Sequence, residues 1–361
     1  MYAQAGLNKT RSCYASICYF HCQKRDIYMT TPKHVAVYYT GGTIGMQQTP
    51  AGLAPATNLA SLAAPIFQQY SHQLQCDWFI SEPLIDSSAI TLSNWQTWLN
   101  WIDSKAADYD GLLILHGTDT MAYSANIIAL ARPHLGIPVI FTGAMLPLAA
   151  ANSDAPLNLH TALAAFSLSD FTQTAIAFNG QLWPAIGSSK ISTEQAEAFA
   201  NPQFGTLAQW SATTGWFNTN LPTSSSPAAP IRYCISPYAR IHCFILTPGA
   251  NLDMITASLT HNPPDGVVLQ SYGNGNTPTD ASFLAAIRQI SQQSIPVLNI
   301  SQVLQGCASA VYAQGHELRT AGIINGGRCN LETALAILTL AASNHWKKEQ
   351  IENLLHQQQL V

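Results

Sequence analysis

The sequence predicts an α/β protein with a larger N-terminal domain, in which a mostly parallel sheet is flanked by helices, and a smaller C-terminal α/β domain. Three observations carry this prediction. Apolar runs of strand length alternate with segments of helical spacing along most of the chain, the pattern of a parallel sheet covered by helices. At 361 residues the chain exceeds the usual reach of one hydrophobic core, so two domains are expected. Two of the apolar runs end in threonine-bearing turns, and an open α/β sheet gathers its chemistry at the carboxyl ends of its strands.

The elements follow in order. Val35-Ala36-Val37-Tyr38-Tyr39 predicts a first strand over 35–39, followed by a helix over 58–70 and a strand near 77–82. A helix over 93–105 places Trp95, Trp98, Leu99 and Ile102 on one face, because residues three and four apart are neighbours on a helix. A strand over 111–115 leads into a helix over 121–132, which stops before Pro133. A strand over 137–141, a helix over 156–168 and a strand over 174–179 complete the N-terminal domain, read as 33–217. Residues 218–232 read as a linker, since Asn218 to Pro230 is rich in Ser, Pro, Thr and Ala. The C-terminal domain, 233–361, resumes the alternation with strands over 243–247, 266–270 and 296–300. Its helices are predicted over 251–260, 280–293, 331–342 and 346–358.

Residues 1–32 read as a disordered or artefactual extension, because Met29-Thr30-Thr31-Pro32-Lys33 has the look of an ordinary start just before the first strand. The extension has only a short apolar core, followed by His21, Cys22, Lys24 and Arg25, which argues against a secretion signal. Cys13, Cys18 and Cys22 lack CxxC spacing, so no metal site is expected there. The other five cysteines are scattered without pattern, which suits a reducing cytoplasm.

Composition narrows the function classes. Apolar residues make up 47% of the chain, too many for a disordered protein, yet no apolar run nears the ~18 residues that span a bilayer. A net charge of −4 with 15 basic residues leaves no nucleic-acid footprint. Charged residues are only 9%, against roughly 25% in an average domain. Uncharged polar residues must therefore cover much of the surface, and part of it is expected to lie in a subunit interface.

The chain contains no GxxxxGK[ST], GxGxxG, HExxH or GxSxG string, so P-loop, dinucleotide, zinc-protease and serine-elbow chemistry lose their main support. Gly41-Gly42-Thr43-Ile44-Gly45 has the spacing of a nucleophile elbow with threonine in place of serine. Taken alone, it reads equally well as a plain glycine turn. The second threonine-bearing string is His116-Gly117-Thr118-Asp119-Thr120-Met121-Ala122, which follows the apolar run Leu112–Leu115. A threonine hydroxyl is a poor nucleophile near neutral pH unless a base takes its proton. Lys190 is the only lysine between Lys105 and Lys347. Such a residue is ordinarily solvated; if instead it reaches Asp119, the pair can tune proton transfer through Thr118.

Taken together and in this order, Tyr39-Thr40-Gly41-Gly42-Thr43-Ile44-Gly45 and Leu115-His116-Gly117-Thr118-Asp119-Thr120-Met121 resemble the two signatures of the bacterial-type L-asparaginases. Similar context recurs at Leu84–Ser88, Thr142–Met145, Ser153-Asp154 with Asn158, and Ser271–Asn276. The resemblance runs from about residue 34 to the end and favours the cytoplasmic, type I branch. It implies hydrolysis of the side-chain amide of L-asparagine to aspartate and ammonia, without cofactor or metal. Thr43 is then the nucleophile that forms an acyl-enzyme, while Thr118, Asp119 and Lys190 form the Thr-Asp-Lys relay. Backbone N–H groups near Thr43 and Thr118 would stabilise the oxyanion. The resemblance makes Gly42, Asp86, Ser87, Ser88, Ala144 and Asn276 substrate-binding residues. Among them Asp86 and Ser87 hold the α-amino and α-carboxylate groups together with Asp119, and the Ala144 carbonyl holds the departing nitrogen. Asn276 corresponds to a residue offered by a neighbouring subunit, which implies a homodimer or homotetramer with shared active sites.

Three stretches depart from the family pattern. Where the family places a loop tyrosine, this chain has Leu53, and no tyrosine lies between Tyr39 and Tyr70. Gly326-Gly327-Arg328-Cys329-Asn330-Leu331-Glu332 only partly matches a family stretch that has Asp-Met-Thr before its glutamate. Gln270 and Val303 replace the arginine and cysteine of a regulatory asparagine site, so no such regulation is expected. Two alternatives stand beside the hydrolase. One is a catalytically weak amino-acid binder, motivated by the missing tyrosine. The other is an ammonia-supplying amidotransferase subunit, for which the chain has neither spare length nor a basic surface. Ammonia release from asparagine separates them.

Overall fold

Strand β1 (Lys33–Tyr39) is buried continuously from Val35 to Tyr39, which only the centre of a sheet covered on both faces allows. In the computed structural model, residues 31–50, 52–222, 229–249, 251–309 and 313–361 are described. The extension expected over 1–32 therefore lies almost wholly outside the described residues, as does the centre of the linker.

After β1 come a hairpin of β2 (Met46–Thr49) and β3 (Gly52–Pro55), then α1 (Leu59–Gln68) and β4 (Leu74–Ile80). The chain continues through α2 (Leu92–Lys105), β5 (Gly111–Leu115), α3 (Met121–Ala131), β6 (Val139–Thr142), α4 (Ala155–Ala165) and β7 (Thr174–Phe178). Five short strands follow: β8 (Gln181–Pro184), β9 (Ser189–Lys190), β10 (Phe199–Ala200), β11 (Ala208–Ser211) and β12 (Gly215–Phe217). The second half runs β13 (Ile241–Ile245), α5 (Asn251–His261), β14 (Gly266–Ser271), α6 (Ala281–Gln292), β15 (Val297–Ser301), α7 (Ala313–Thr320), β16 (Ile324–Asn325), α8 (Leu331–Ser343) and α9 (Lys348–Gln357).

The first sheet has the order β12-β11-β8-β7-β6-β5-β1-β4. Strands β4, β1, β5, β6 and β7 are parallel, whereas β8, β11 and β12 extend the sheet antiparallel. From β1 the chain crosses to β4 on one side and then returns to β5 on the other, so strand order reverses at β1. Loops leaving such a switch point diverge and open a crevice at the carboxyl ends of the strands. The second sheet, β13-β14-β15-β16, is parallel throughout. The mixed α/β architecture with a larger, mostly parallel first sheet is thus as the sequence predicts.

Helix α8 is apolar on every side, as a helix buried on all sides must be. It packs on α3 with one face and on the second sheet with another, so one apolar cluster runs from Ala125 and Ile128 through Ala334 and Ile337 to Val268 and Leu298. The helix predicted over 93–105 does bury Trp95, Trp98, Leu99 and Ile102. Some strand boundaries shift. The strand expected near 77–82 begins at Leu74, because the turn after α1 closes with Gln73 N–H on Tyr70 O at 2.8 Å. The strand expected from 137 begins at Val139, since Pro138 has no N–H to give to a ladder. Among the described residues, no helix is long and apolar enough to cross a membrane.

Candidate active site

Three loops leave the carboxyl ends of β1, β5 and β4 and converge. Thr40, the first residue after β1, bonds back to Leu115 O at the end of β5 through both its N–H (2.9 Å) and its hydroxyl (3.0 Å). Its own carbonyl accepts Ile85 N–H at 2.8 Å from the loop after β4. Gly42 follows with φ +95°, a left-handed conformation that favours glycine. A Cβ on Gly42 would overlap the Gly117 backbone, and a Cβ on Gly117 would meet the Ser87 side chain. Only paired glycines let the β1 and β5 loops touch main chain to main chain. Thr43 then opens a short 3₁₀ turn, Thr43–Gly45, and its hydroxyl has no hydrogen-bond partner among the described residues.

The β5 loop is anchored from below by His116. The Gly117 carbonyl can only accept, so His116 Nδ1 carries the proton it receives at 2.6 Å. Nε2 is then the acceptor for the Ser124 hydroxyl at 2.9 Å, and Ser124 Oγ in turn accepts Trp95 Nε1–H at 2.9 Å. Complete burial pushes the His116 pKa down to about 4, so the ring is neutral near pH 7. Sequence reasoning quoted His116 within its motif but gave it no role, since neither Trp95 nor Ser124 is a sequence neighbour.

Above this anchor, Lys190 Nζ donates to Thr118 Oγ1 at 2.9 Å and to Asp119 Oδ1 at 2.7 Å. The lysine side chain is 16% exposed and the aspartate 61%, so the pair sits at the rim of a cavity, not in the core. That cavity, of about 300 Å³, is lined by Gly42, Thr43, Asp86, Ser87, Thr118, Asp119 and Lys190, with Met46, Met145 and Thr193 at its edges. A second cavity of about 560 Å³ shares Asp119, Lys190 and Thr193 and extends to Tyr123 and Glu332. Burial pushes the Tyr123 phenol up to about 12 and raises the Glu332 carboxyl, with nearby Glu332 adding to the shift on Tyr123.

Of the residues the sequence singles out, Gly42, Thr43, Asp86, Ser87, Thr118, Asp119 and Lys190 line this one cavity. Ser88 does not; its N–H and hydroxyl both donate to Asp86 Oδ1 at 2.9 Å and orient that carboxylate. Ala144 is buried in the loop after β6 and is not itself a lining residue, although its neighbour Met145 is. Asp154 clamps that loop by accepting Met145 N–H (2.9 Å) and Leu146 N–H (3.0 Å). Asn276 lies on the tight turn after β14 and lines neither cavity. Leu53, on β3, is 50% exposed and also stays off the lining. Thr193 and Met46 line the site without having been anticipated, because neither stands within a string that signals chemistry.

One cavity thus brings together an unpaired hydroxyl, a hydroxyl bonded to Lys190 Nζ and the carboxylates of Asp86 and Asp119. Such a site can attack and transfer an acyl group from a small zwitterionic substrate.

Comparison with known proteins agrees with this chemistry. Residues 34–222 match the model "Asparaginase, N-terminal", and residues 240–355 match "Glutaminase/Asparaginase C-terminal domain". L-asparaginase 1 of Escherichia coli K12 is 33% identical over 330 residues, covering 90% of this chain and 96% of that protein. The crystal structure of L-asparaginase I from Vibrio cholerae superposes with a TM-score of 0.80 at 30% identity, covering 90% of this chain and 97% of that one. The mouse 60 kDa lysophospholipase is 28% identical over 86% of this chain, which spans 59% of that larger protein.

Proposed function

The chain belongs to the asparaginase family, and we propose that it is an L-asparagine amidohydrolase that works through a threonine acyl-enzyme. One observation carries this: Lys190 Nζ bonds to both Thr118 Oγ1 and Asp119 Oδ1 on a small cavity that the unpaired Thr43 hydroxyl also lines. Thr43 Oγ1 attacks the side-chain carboxamide carbon; its proton passes to Thr118 Oγ1 as Thr118 hands its own proton to the Lys190 amine in its unprotonated form. The tetrahedral oxyanion rests on N–H groups of the β1 and β5 loops. Its collapse breaks the C–N bond as the nitrogen takes that proton back through Thr118, and ammonia departs past the Ala144 carbonyl. Water near Thr118 then attacks the Thr43 ester, giving aspartate and restoring the hydroxyl. Asp86, Ser87 and Asp119 hold the α-amino and α-carboxylate groups, while Gly42 and Ser88 shape their loops.

Asn276 completes the site from a neighbouring subunit in this reading, so the active species is a homodimer or homotetramer. Its position on a turn away from both cavities supports that arrangement. A cytoplasmic location is supported by the free thiols of Cys76, Cys234, Cys243, Cys307 and Cys329. The test is ammonia release from L-asparagine with Thr43→Ala as the blank. We expect turnover well above the blank, and a wild-type rate equal to that of Thr43→Ala rejects the hydrolase in favour of an amino-acid binder.

A further inference from the structure

Lys190 does not sit on the parallel sheet, so something else must hold it over Thr118. One support is local: β9 pairs with β10, Lys190 opposite Phe199, and Ile191 N–H donates to Ala198 O at 2.8 Å. The other comes from the far end of the chain. Asn330 caps α8 by accepting Thr333 N–H at 3.0 Å, and its Nδ2 donates to Ser188 O (2.9 Å) and to Ser189 Oγ (2.8 Å). Since Ser189 Oγ accepts there, its own proton is free to go elsewhere, and it goes to Glu332 Oε2 at 3.0 Å. Thr333 Oγ1 accepts Gly187 N–H at 3.0 Å and donates to Asn126 Oδ1 on α3 at 2.6 Å. The three residues before Lys190 are thus all bonded by the first turn of one helix.

Capping alone does not require Glu332. Asn330 already supplies the cap, and an acidic residue in a first turn stabilises a helix equally well when it is solvated. Here Glu332 is 9% exposed, and among the described residues its carboxyl has only the Ser189 hydroxyl as a side-chain partner, an expensive placement for a charge. It also faces the cavity that Lys190 and Asp119 share.

We propose that Glu332, acting with Asn330 through Ser189, is a positioning residue for Lys190, so that the C-terminal half of the chain sets the geometry of the Thr118–Lys190 contact. The proposal rests on the amidohydrolase reading and gives the Gly326–Glu332 stretch a purpose.

The experiment compares Glu332→Ala, Glu332→Gln and Ser189→Ala with wild type in asparagine turnover, alongside thermal melting. Glu332→Ala is expected to lower kcat about 10- to 100-fold, as small misplacements of a reacting group do, with KM nearly unchanged because Glu332 lies outside the substrate cavity. Gln keeps an acceptor oxygen for Ser189 and is expected to recover most of that kcat, whereas Ser189→Ala, which has no hydroxyl to give, is expected to behave like Glu332→Ala. Loss of Tm with kcat unchanged in the folded protein, a loss confined to KM, or failure of Gln to rescue overturns the proposal. If Glu332→Ala does not fold, Ser189→Ala decides by the same criteria. If wild-type protein itself releases no ammonia, the hydrolase reading fails alone. Crystal structures of wild type and Ser189→Ala then decide: displacement of Lys190 Nζ from Thr118 Oγ1 supports the clamp, and an unmoved lysine overturns it.

Discussion

Replacing Lys190 by methionine keeps a flexible apolar stem one atom shorter and deletes the amine with its donors. In the wild type that nitrogen bonds to Thr118 Oγ1 at 2.9 Å and to Asp119 Oδ1 at 2.7 Å. In the proposed mechanism the unprotonated amine receives the Thr118 proton, so its removal is the loss of a general base, about 10²- to 10⁴-fold in kcat. The cost in stability is much smaller. Asp119 is 61% exposed, so the ion pair is screened by water and worth at most ~1 kcal/mol, and methionine covers the same apolar stem. For a chain of this size that amounts to a Tm shift of no more than about 4 °C. Activity and stability should therefore separate: turnover falls nearly to the Thr43→Ala level while the melt barely moves. Steady-state ammonia release at saturating asparagine, paired with thermal unfolding, measures both. A variant that keeps more than about a tenth of wild-type kcat, or that loses activity only in step with lost folded protein, refutes the assignment of Lys190 as base.

Three further outcomes follow from the same geometry. Gly42→Ala places a Cβ against the Gly117 backbone at φ +95°, and strain of about 1–3 kcal/mol together with separation of the two loops should lower both Tm and kcat; wild-type kinetics in this variant would show that the loops need not touch. His116 titrates at 6.5 when unfolded and at about 4 when folded, so protons bind the unfolded chain preferentially as pH falls through that window. Stability from this group is therefore complete above about pH 6.5 and declines by roughly 3 kcal/mol toward pH 4, a slope that His116→Gln should remove from urea-unfolding curves taken across the window. Arg132, 3% exposed, bonds to both oxygens of Asp103 (2.7 and 2.8 Å) and to the carbonyls of Ala131 and Tyr233 (2.8 and 2.7 Å). Arg132→Met strands those acceptors, so urea unfolding should show a loss of about 3 kcal/mol while kcat of the folded enzyme is kept.

Parallel strands advertise themselves because both faces are buried. Val35–Tyr39 and Leu112–Leu115 are therefore plain in the sequence, and so are the threonine turns that follow them. The antiparallel extension is not. Strands β8, β11 and β12 have three or four residues each, bury one residue or none and carry no long periodicity. The β2–β3 hairpin escaped for the same reason, since Gln47, Gln48 and Ala54 give no alternation to read. At the site, side chains whose chemistry is distinctive were legible: two threonines, the Asp119 carboxylate and a solitary lysine. What holds them was not. The Trp95–Ser124–His116 chain and the Asn330–Ser189–Glu332 chain join residues 29 and about 140 positions apart through ordinary polar groups, and only the folded backbone brings them together.

The site divides into two parts of different origin. Thr43, Asp86 and Thr118 stand at the ends of three adjacent parallel strands, so their convergence follows from the reversal of strand order at β1 and persists as long as the sheet does. Lys190 belongs to a two-residue strand outside that sheet, tied to it by no ladder and fixed by hydrogen bonds from the last third of the chain. In the proposed mechanism, binding and nucleophile geometry thus depend on the core of the first sheet, while the position of Lys190 depends on the first turn of α8 and its contact with α3. A change at the α3–α8 contact that leaves both sheets intact would therefore spare substrate binding and depress the proton-transfer step. With Leu53 unable to move a proton, no side chain on the β2–β3 hairpin offers Thr43 a second base to make good that loss. Under the proposed clamp, the C-terminal domain takes part in proton transfer by holding the segment that carries Lys190.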